Sequence, residues 1–206
     1  MKYIDIIRKE FSEKFVFSLR DIYLYFKDNG LTKQYLWLLL HNLIKKKEII
    51  RISRGKYTFM KDSVFFAFAF TPFYFGLQDA LSLRNLWEQE VNSVIITTNN
   101  IKPGIREISC MNILLRRIKK KYFFGFDYIK YYDYSIPVSD LEKIIIDFVY
   151  YKEYLSKETI GNFKDKIDLS KLNKYLKFYN NGVKNKVYKL LELWNILDFK
   201  IIYYIF

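Results

Sequence analysis

The sequence predicts an α+β protein in two parts, on three observations. Apolar residues at helical spacing, with a capping residue opening the second and third runs, fill the first 46 positions, and two short strand-like runs follow at 49–52 and 57–59. Strand-like runs separated by turn dipeptides then crowd residues 93–138. Helical periodicity returns after residue 141.

Ile4, Ile7 and Phe11 recur at helical spacing with Asp5, Arg8, Lys9 and Glu13 elsewhere on the cylinder, which predicts a short amphipathic helix over 4–13. Ser18 is placed to cap a second helix with the stripe Leu19, Ile22, Tyr23 and Phe26, and Asn29-Gly30 stops it with residues that tolerate positive φ. Thr32 is the N-cap of a third helix reaching about residue 46. At about 100° per residue, Leu36, Leu39, Leu40 and Leu43 share one side of that helix. Lys33, Gln34, Trp37, His41 and Lys45 share the other. Ser53-Arg54-Gly55 is the turn of a β-hairpin. Three helices followed by a hairpin is the order of a winged helix-turn-helix, so residues 1–62 are expected to form a DNA-binding domain.

Residues 63–206 are expected to form an α+β domain with an antiparallel sheet and C-terminal helices. An aromatic helix over 64–70 ends at Thr71-Pro72, and another runs over 77–88. Strand-like runs follow at 94–98, 107–110, 113–117, 126–131 and 134–138, with Asn99-Asn100 and Pro103-Gly104 among the turns. Ser139 and Glu142 fit a capping box at the start of the apolar helix 141–151. Further helices are predicted over 157–164, 169–178 and 183–194, and the tail 199–206 is too apolar to stay free in water.

Charge points to a polyanionic partner. Lys and Arg total 35 against 22 Asp and Glu, a net +13. Residues 1–62 carry 14 basic and 7 acidic side chains, a net +7, so more than half of the excess sits in under a third of the chain. The candidate DNA-binding residues are Thr32, Lys33, Gln34, Trp37, His41 and Lys45 on the third helix and Arg51, Arg54 and Lys56 on the wing. Lys33 and Gln34 lie at the end of the helix that meets base edges, and a glutamine amide can pair with adenine N6 and N7. Trp37 reads either as a DNA contact or as packing against residues 63–76. A second basic patch, Arg116, Arg117, Lys119, Lys120 and Lys121, is a second candidate nucleic-acid contact or a solvated strand end.

Other classes find little in the chain. One cysteine, Cys110, excludes an internal disulfide framework, and with His41 the only histidine no Cys- or His-rich metal motif exists. No phosphate-loop, dinucleotide or serine-hydrolase motif occurs, so no cofactor, metal or catalytic residue is expected. Asp198-Phe199-Lys200 fits half of a loose nuclease pattern, which keeps a nucleic-acid-processing enzyme as the alternative. A protein-interaction module is a third reading. The first residues lack the profile of a secretory leader, and the most apolar stretch, 64–77, is shorter than the roughly 20 residues that span a bilayer. A cytoplasmic protein with no membrane partner is the expectation.

Four stretches together resemble a known family. Ile49-Ile50-Arg51-Ile52-Ser53-Arg54-Gly55-Lys56-Tyr57 is similar to an apolar strand followed by R-G-x-Y; Asp79-Ala80-Leu81-Ser82-Leu83-Arg84-Asn85-Leu86 to S-A-L-s-x-h-G-L; and Val138-Ser139-Asp140-Leu141-Glu142-Lys143 to v-s-d-p-E-k. The helical region 168–194 completes the pattern. With them the chain resembles a distant member of the AbiEi family, the antitoxin and transcriptional-regulator component of type IV toxin–antitoxin systems. Asp79, Arg84, Asn85 and Leu141 stand where the family has Ser, His, Gly and Pro. The resemblance implies a winged helix that binds inverted repeats in the promoter of its own operon, with a homodimer on DNA among the expectations. It also implies a C-terminal domain that counters a nucleotidyltransferase-like toxin.

Overall fold

The computed structural model describes residues 3–89 and 91–194, and the chain is a mixed α+β protein. The first part consists of α1 (Tyr3–Phe11), β1 (Phe17–Ser18), α2 (Leu19–Tyr25), α3 (Lys33–Lys45), β2 (Ile50–Ser53) and β3 (Lys56–Thr58). Local signals account for most of it. Ser18 caps α2 through a capping box completed by Asp21, Thr32 caps α3, and Gly30 takes the left-handed conformation between them. Leu36, Leu39, Leu40 and Leu43 are the buried face of α3 and meet Ile7, Phe11, Phe17, Ile22 and Tyr57 in one apolar cluster. β3 is the middle of a three-stranded antiparallel sheet, flanked by β1 and β2. Two residues of extended chain are too few to register in a sequence pattern, which is why β1 goes unpredicted.

The larger part runs through α4 (Ser63–Phe66), β4 (Phe73–Phe75), α5 (Leu77–Leu83), β5 (Ser93–Thr97), β6 (Gly104–Ile108), β7 (Met111–Arg117), β8 (Phe126–Tyr131), β9 (Tyr134–Ser139), α6 (Leu141–Tyr151), α7 (Lys157–Gly161), α8 (Leu169–Leu176) and α9 (Asn181–Leu193). Its six-stranded sheet has the order β6-β7-β5-β4-β9-β8 and is mixed, not antiparallel as expected. The two hairpins, β6–β7 and β8–β9, are antiparallel as their tight turns require. β6 lies outside β7, however, so β7 returns beside β5 in parallel, and β9 lies parallel to β4. β4, which makes the second of these parallel pairs, is three residues of an unbroken aromatic run and carries no alternation to reveal it. The aromatic helix expected over 64–70 is one α-turn followed by a 3-10 turn over Ala67–Phe70, and the helix expected over 77–88 stops at Leu83.

Helix α6 is the spine of this part. Every residue from Glu142 to Phe148 is buried, because α5, α8 and α9 pack around it. Its predicted capping box does not form. Asp140 is the N-cap, its Oδ1 accepting from the Lys143 amide at 2.8 Å, while the Ser139 hydroxyl donates to the Phe75 carbonyl and holds β9 to β4. Glu142 instead accepts from the Asp168 amide at 2.8 Å.

The two parts are joined without a linker. Asp62 caps α4 through the Val64 amide and accepts a 2.7 Å bond from the Tyr131 hydroxyl. Phe15, in the loop after α1, packs on Phe65, Phe68 and Tyr134 with ring centroids 4.2–5.3 Å away. Ile52 of β2 belongs to the larger core.

Asp79 of α5 is 6% exposed and accepts from the Val94 amide at 2.8 Å, tying α5 to β5, and it has no ion-pair partner among the described residues. Burial pushes its carboxyl up to about 7, against the pull of that hydrogen bond. A carboxyl whose folded pKa lies above its unfolded value of about 3.9 holds a proton the unfolded chain has lost, so its contribution is fully present below pH 4 and is lost as pH rises to 7. Asp79→Asn keeps the acceptor and removes the charge. The variant should match the wild type near pH 4 and gain up to about 4 kcal/mol of relative stability by pH 8 in urea titrations. A constant difference across that range would disprove the account.

Gly55 and Gly125 both have left-handed backbone, at φ 74° and 75°. A Cβ on Gly55 meets nothing within 4 Å, whereas one on Gly125 lies 2.9 Å from both Lys143 Cβ and Tyr175 Cε2. Gly55→Ala should therefore cost about 1 kcal/mol from conformation alone. Gly125→Ala should cost about 1–3 kcal/mol more, and equal midpoints in denaturant would refute the packing argument.

Candidate nucleic-acid interface

Helix α3 turns its apolar side into the core, and that leaves Lys33, Gln34, Trp37, His41 and Lys45 in solvent together with its cap, Thr32. Thr32 Oγ1 accepts from the Tyr35 amide at 3.3 Å, which sets where the helix begins and so which residues occupy its first turn. The Lys33 ammonium lies 5.3 Å from the Tyr23 ring centroid, held at that end of the helix. Trp37 is 49% exposed and belongs to neither apolar cluster, so the packing against residues 63–76 is not found. Tyr35 and Leu38 on α3, with Leu24 and Tyr25 on α2, are exposed as well. All four lie off the buried stripes of their helices, and sequence reasoning passed over them because it sought charged and polar contacts there.

On the β2–β3 hairpin, Arg51 and Arg54 are exposed and neither has an ion-pair partner among the described residues. Arg54-Gly55 is the two-residue turn. Lys56 differs: half-buried, its ammonium donates to the Ala69 carbonyl and fastens the hairpin to the larger part. A cation so engaged leaves Arg51 and Arg54 as the free charges of the hairpin.

The second basic patch loses a member in the same way. Arg116 is paired with Glu153 and lies 5.6 Å from the Tyr151 ring centroid. Arg117, Lys119, Lys120 and Lys121 remain exposed at the end of β7, and the first three line a cavity of about 460 Å³ with Thr98 and Tyr150.

The richest set of ionisable groups is interior. The Lys143 ammonium pairs with Asp147 one turn on and donates to the Tyr179 hydroxyl at 2.9 Å, and the Tyr74 hydroxyl donates to Asp147 at 2.8 Å. Both charged residues are wholly inaccessible. Beside them Asp140 accepts from the Tyr175 hydroxyl, and Lys171 bridges Asp140 and Glu142 at 3.0 and 3.1 Å. Burial pushes the Asp147 carboxyl up and the Lys143 ammonium down, each opposed by the other's charge. Sealed from solvent, the pair has no substrate to meet, and its chemistry is that of a clamp. Among the described residues no three His, Cys, Asp or Glu side chains come together to hold a metal. No helix among them is long and apolar enough to cross a membrane. Asp198, Lys200 and the tail 199–206 lie outside the described residues.

Removing one partner of a buried pair strands the other. Lys143→Met and Asp147→Leu should each cost about 3–5 kcal/mol, and the double variant should cost at least about 1 kcal/mol less than the two together. Strict additivity in a urea double-mutant cycle would show that the pair is not coupled. In comparisons with known proteins, no family model matches the chain and no curated protein is significantly similar to it, so its chemistry is read from its own residues.

Proposed function

We propose that the chain is a sequence-specific DNA-binding transcriptional regulator of antitoxin type. In this reading residues 1–62 are a winged helix-turn-helix with α3 as the recognition helix and β2–β3 as the wing. Residues 63–206 are the regulatory part, which counters a nucleotidyltransferase-like toxin as the AbiEi resemblance implies. The protein acts in the cytoplasm on promoter inverted repeats.

The observation that carries the reading is the pairing of two free basic surfaces in one small unit. The open side of α3 bears Lys33, Gln34, His41 and Lys45, and the adjoining hairpin bears Arg51 and Arg54. A helix of this kind fits a major groove, and a hairpin arginine reaches phosphate or the minor groove. Lys56 is not among the contacts in this reading, because its ammonium is already bonded within the protein.

A second reading rests on Leu24, Tyr25, Tyr35, Trp37 and Leu38, large apolar side chains that α2 and α3 leave exposed. An apolar surface of this sort suits a protein partner or a second copy. The two readings differ in salt dependence. Mobility-shift titrations should show affinity falling steeply with salt, with Arg54→Ala reducing the slope by about one and weakening all sequences alike. Gln34→Ala should relax preference at one base position by roughly 1–3 kcal/mol in selections from random DNA. No binding to duplex DNA, or binding that ignores salt, would transfer support to the protein partner.

A further inference from the structure

Where β2 meets the tip of the β6–β7 hairpin there is a cleft of about 490 Å³. That volume is in the range of small-molecule sites. Its lining has two characters. Ile49, 2% exposed, and Met111 form an apolar floor. Lys47, Arg51 and Lys61 stand around it, and all three are exposed.

Three cations face this space, and among the described residues no carboxylate lines it. The acidic groups next in sequence are committed elsewhere: Glu48 is held by the Arg8 guanidinium through two 2.8 Å bonds, and Asp62 by the Val64 amide and the Tyr131 hydroxyl. None of the three cations has an ion-pair partner among the described residues. The backbone also fixes where the charges sit. Lys47 closes α3 in the left-handed conformation at φ 56°, its amide bonded to the Ile44 carbonyl, and Arg51 is in the β2–β3 ladder. Like charges converging on a concave, partly apolar wall focus a positive potential into it, and an anion relieves their repulsion.

We propose that this cleft is a binding site for a small organic anion that carries an apolar group, a ligand class that satisfies the three cations and the Ile49–Met111 floor at once. A bare inorganic anion leaves the floor wet, and a neutral apolar molecule leaves the cations unpaired. The site shares Arg51 with the DNA-binding reading but requires nothing of Gln34, Trp37 or Arg54.

Cys110 lines the same cleft, is exposed, and is the only cysteine of the chain, so it reports occupancy. Its thiolate attacks 2,2′-dithiodipyridine, an uncharged reagent, to give a mixed disulfide and release one pyridine-2-thione, whose absorbance gives the rate. The probe is 1-anilinonaphthalene-8-sulfonate. It should slow the reaction of the full chain saturably, whereas neutral N-phenyl-1-naphthylamine and inorganic pyrophosphate at the same concentration should each slow it far less. In Lys47→Gln/Lys61→Gln, where both changes are on the surface, the concentration for half-protection should rise about tenfold, the worth of two solvent-facing ion pairs. Lys119→Gln/Lys120→Gln, which removes two cations remote from the cleft, should leave it unchanged. Absence of protection, equal protection by all three compounds, or an equal effect of the two double variants would overturn the proposal, whatever the outcome with DNA.

Discussion

Lys143 and Asp147, paired across one turn of α6, are the junction from which the larger part of the molecule takes its register. Asp147 accepts from Tyr74 in the central strand β4, and Lys143 donates to Tyr179 in the segment between α8 and α9. One turn earlier Asp140 and Glu142 hold α8 through Tyr175, Lys171 and the Asp168 amide. A buried ion pair is weak evidence for stability, since desolvation offsets much of its Coulomb energy. What it supplies is selectivity: sliding α6 along the sheet by a residue would strand a charge in an apolar core. Gly125 belongs to the same constraint, because its backbone crosses so close to Lys143 and Tyr175 that a methyl group does not fit.

The joint between the two parts has a different character. Stacked rings around Phe15, the Lys56 bond to Ala69 and the Tyr131 bond to Asp62 are spread over separate elements, and Ile52 sends one strand of the small sheet into the large core. A unit of about 60 residues has a marginal core of its own. Docking of this kind supplements it, and it also carries the cleft beside Arg51 into the body of the protein. These contacts link the larger part directly to the β2–β3 hairpin.

Much of the architecture is legible in the sequence because it is local. Ser18, Thr32 and Gly30 mark helix ends by their own hydrogen bonding and φ, and the leucines of α3 identify its buried side by periodicity. The helix over Leu141–Tyr151 and both hairpins follow from the same rules. β1 and β4 escape them, since two or three residues cannot display a period, and without β4 the parallel pairing with β9 cannot be inferred.

For the candidate interface, the sequence by itself determined which residues share the open side of α3 and that the hairpin after it is basic, because both depend only on helical geometry and composition. The tertiary structure decided which charges remain free. Lys56 and Arg116 looked like their neighbours until folding brought Ala69 and Glu153 to them across 13 and 37 residues. The same holds for Glu142, which caps nothing in its own helix and instead meets Asp168 and Lys171. A charged side chain takes the partner that packing delivers, and that partner is set by which elements lie side by side in space, a relation no stretch of neighbouring residues contains.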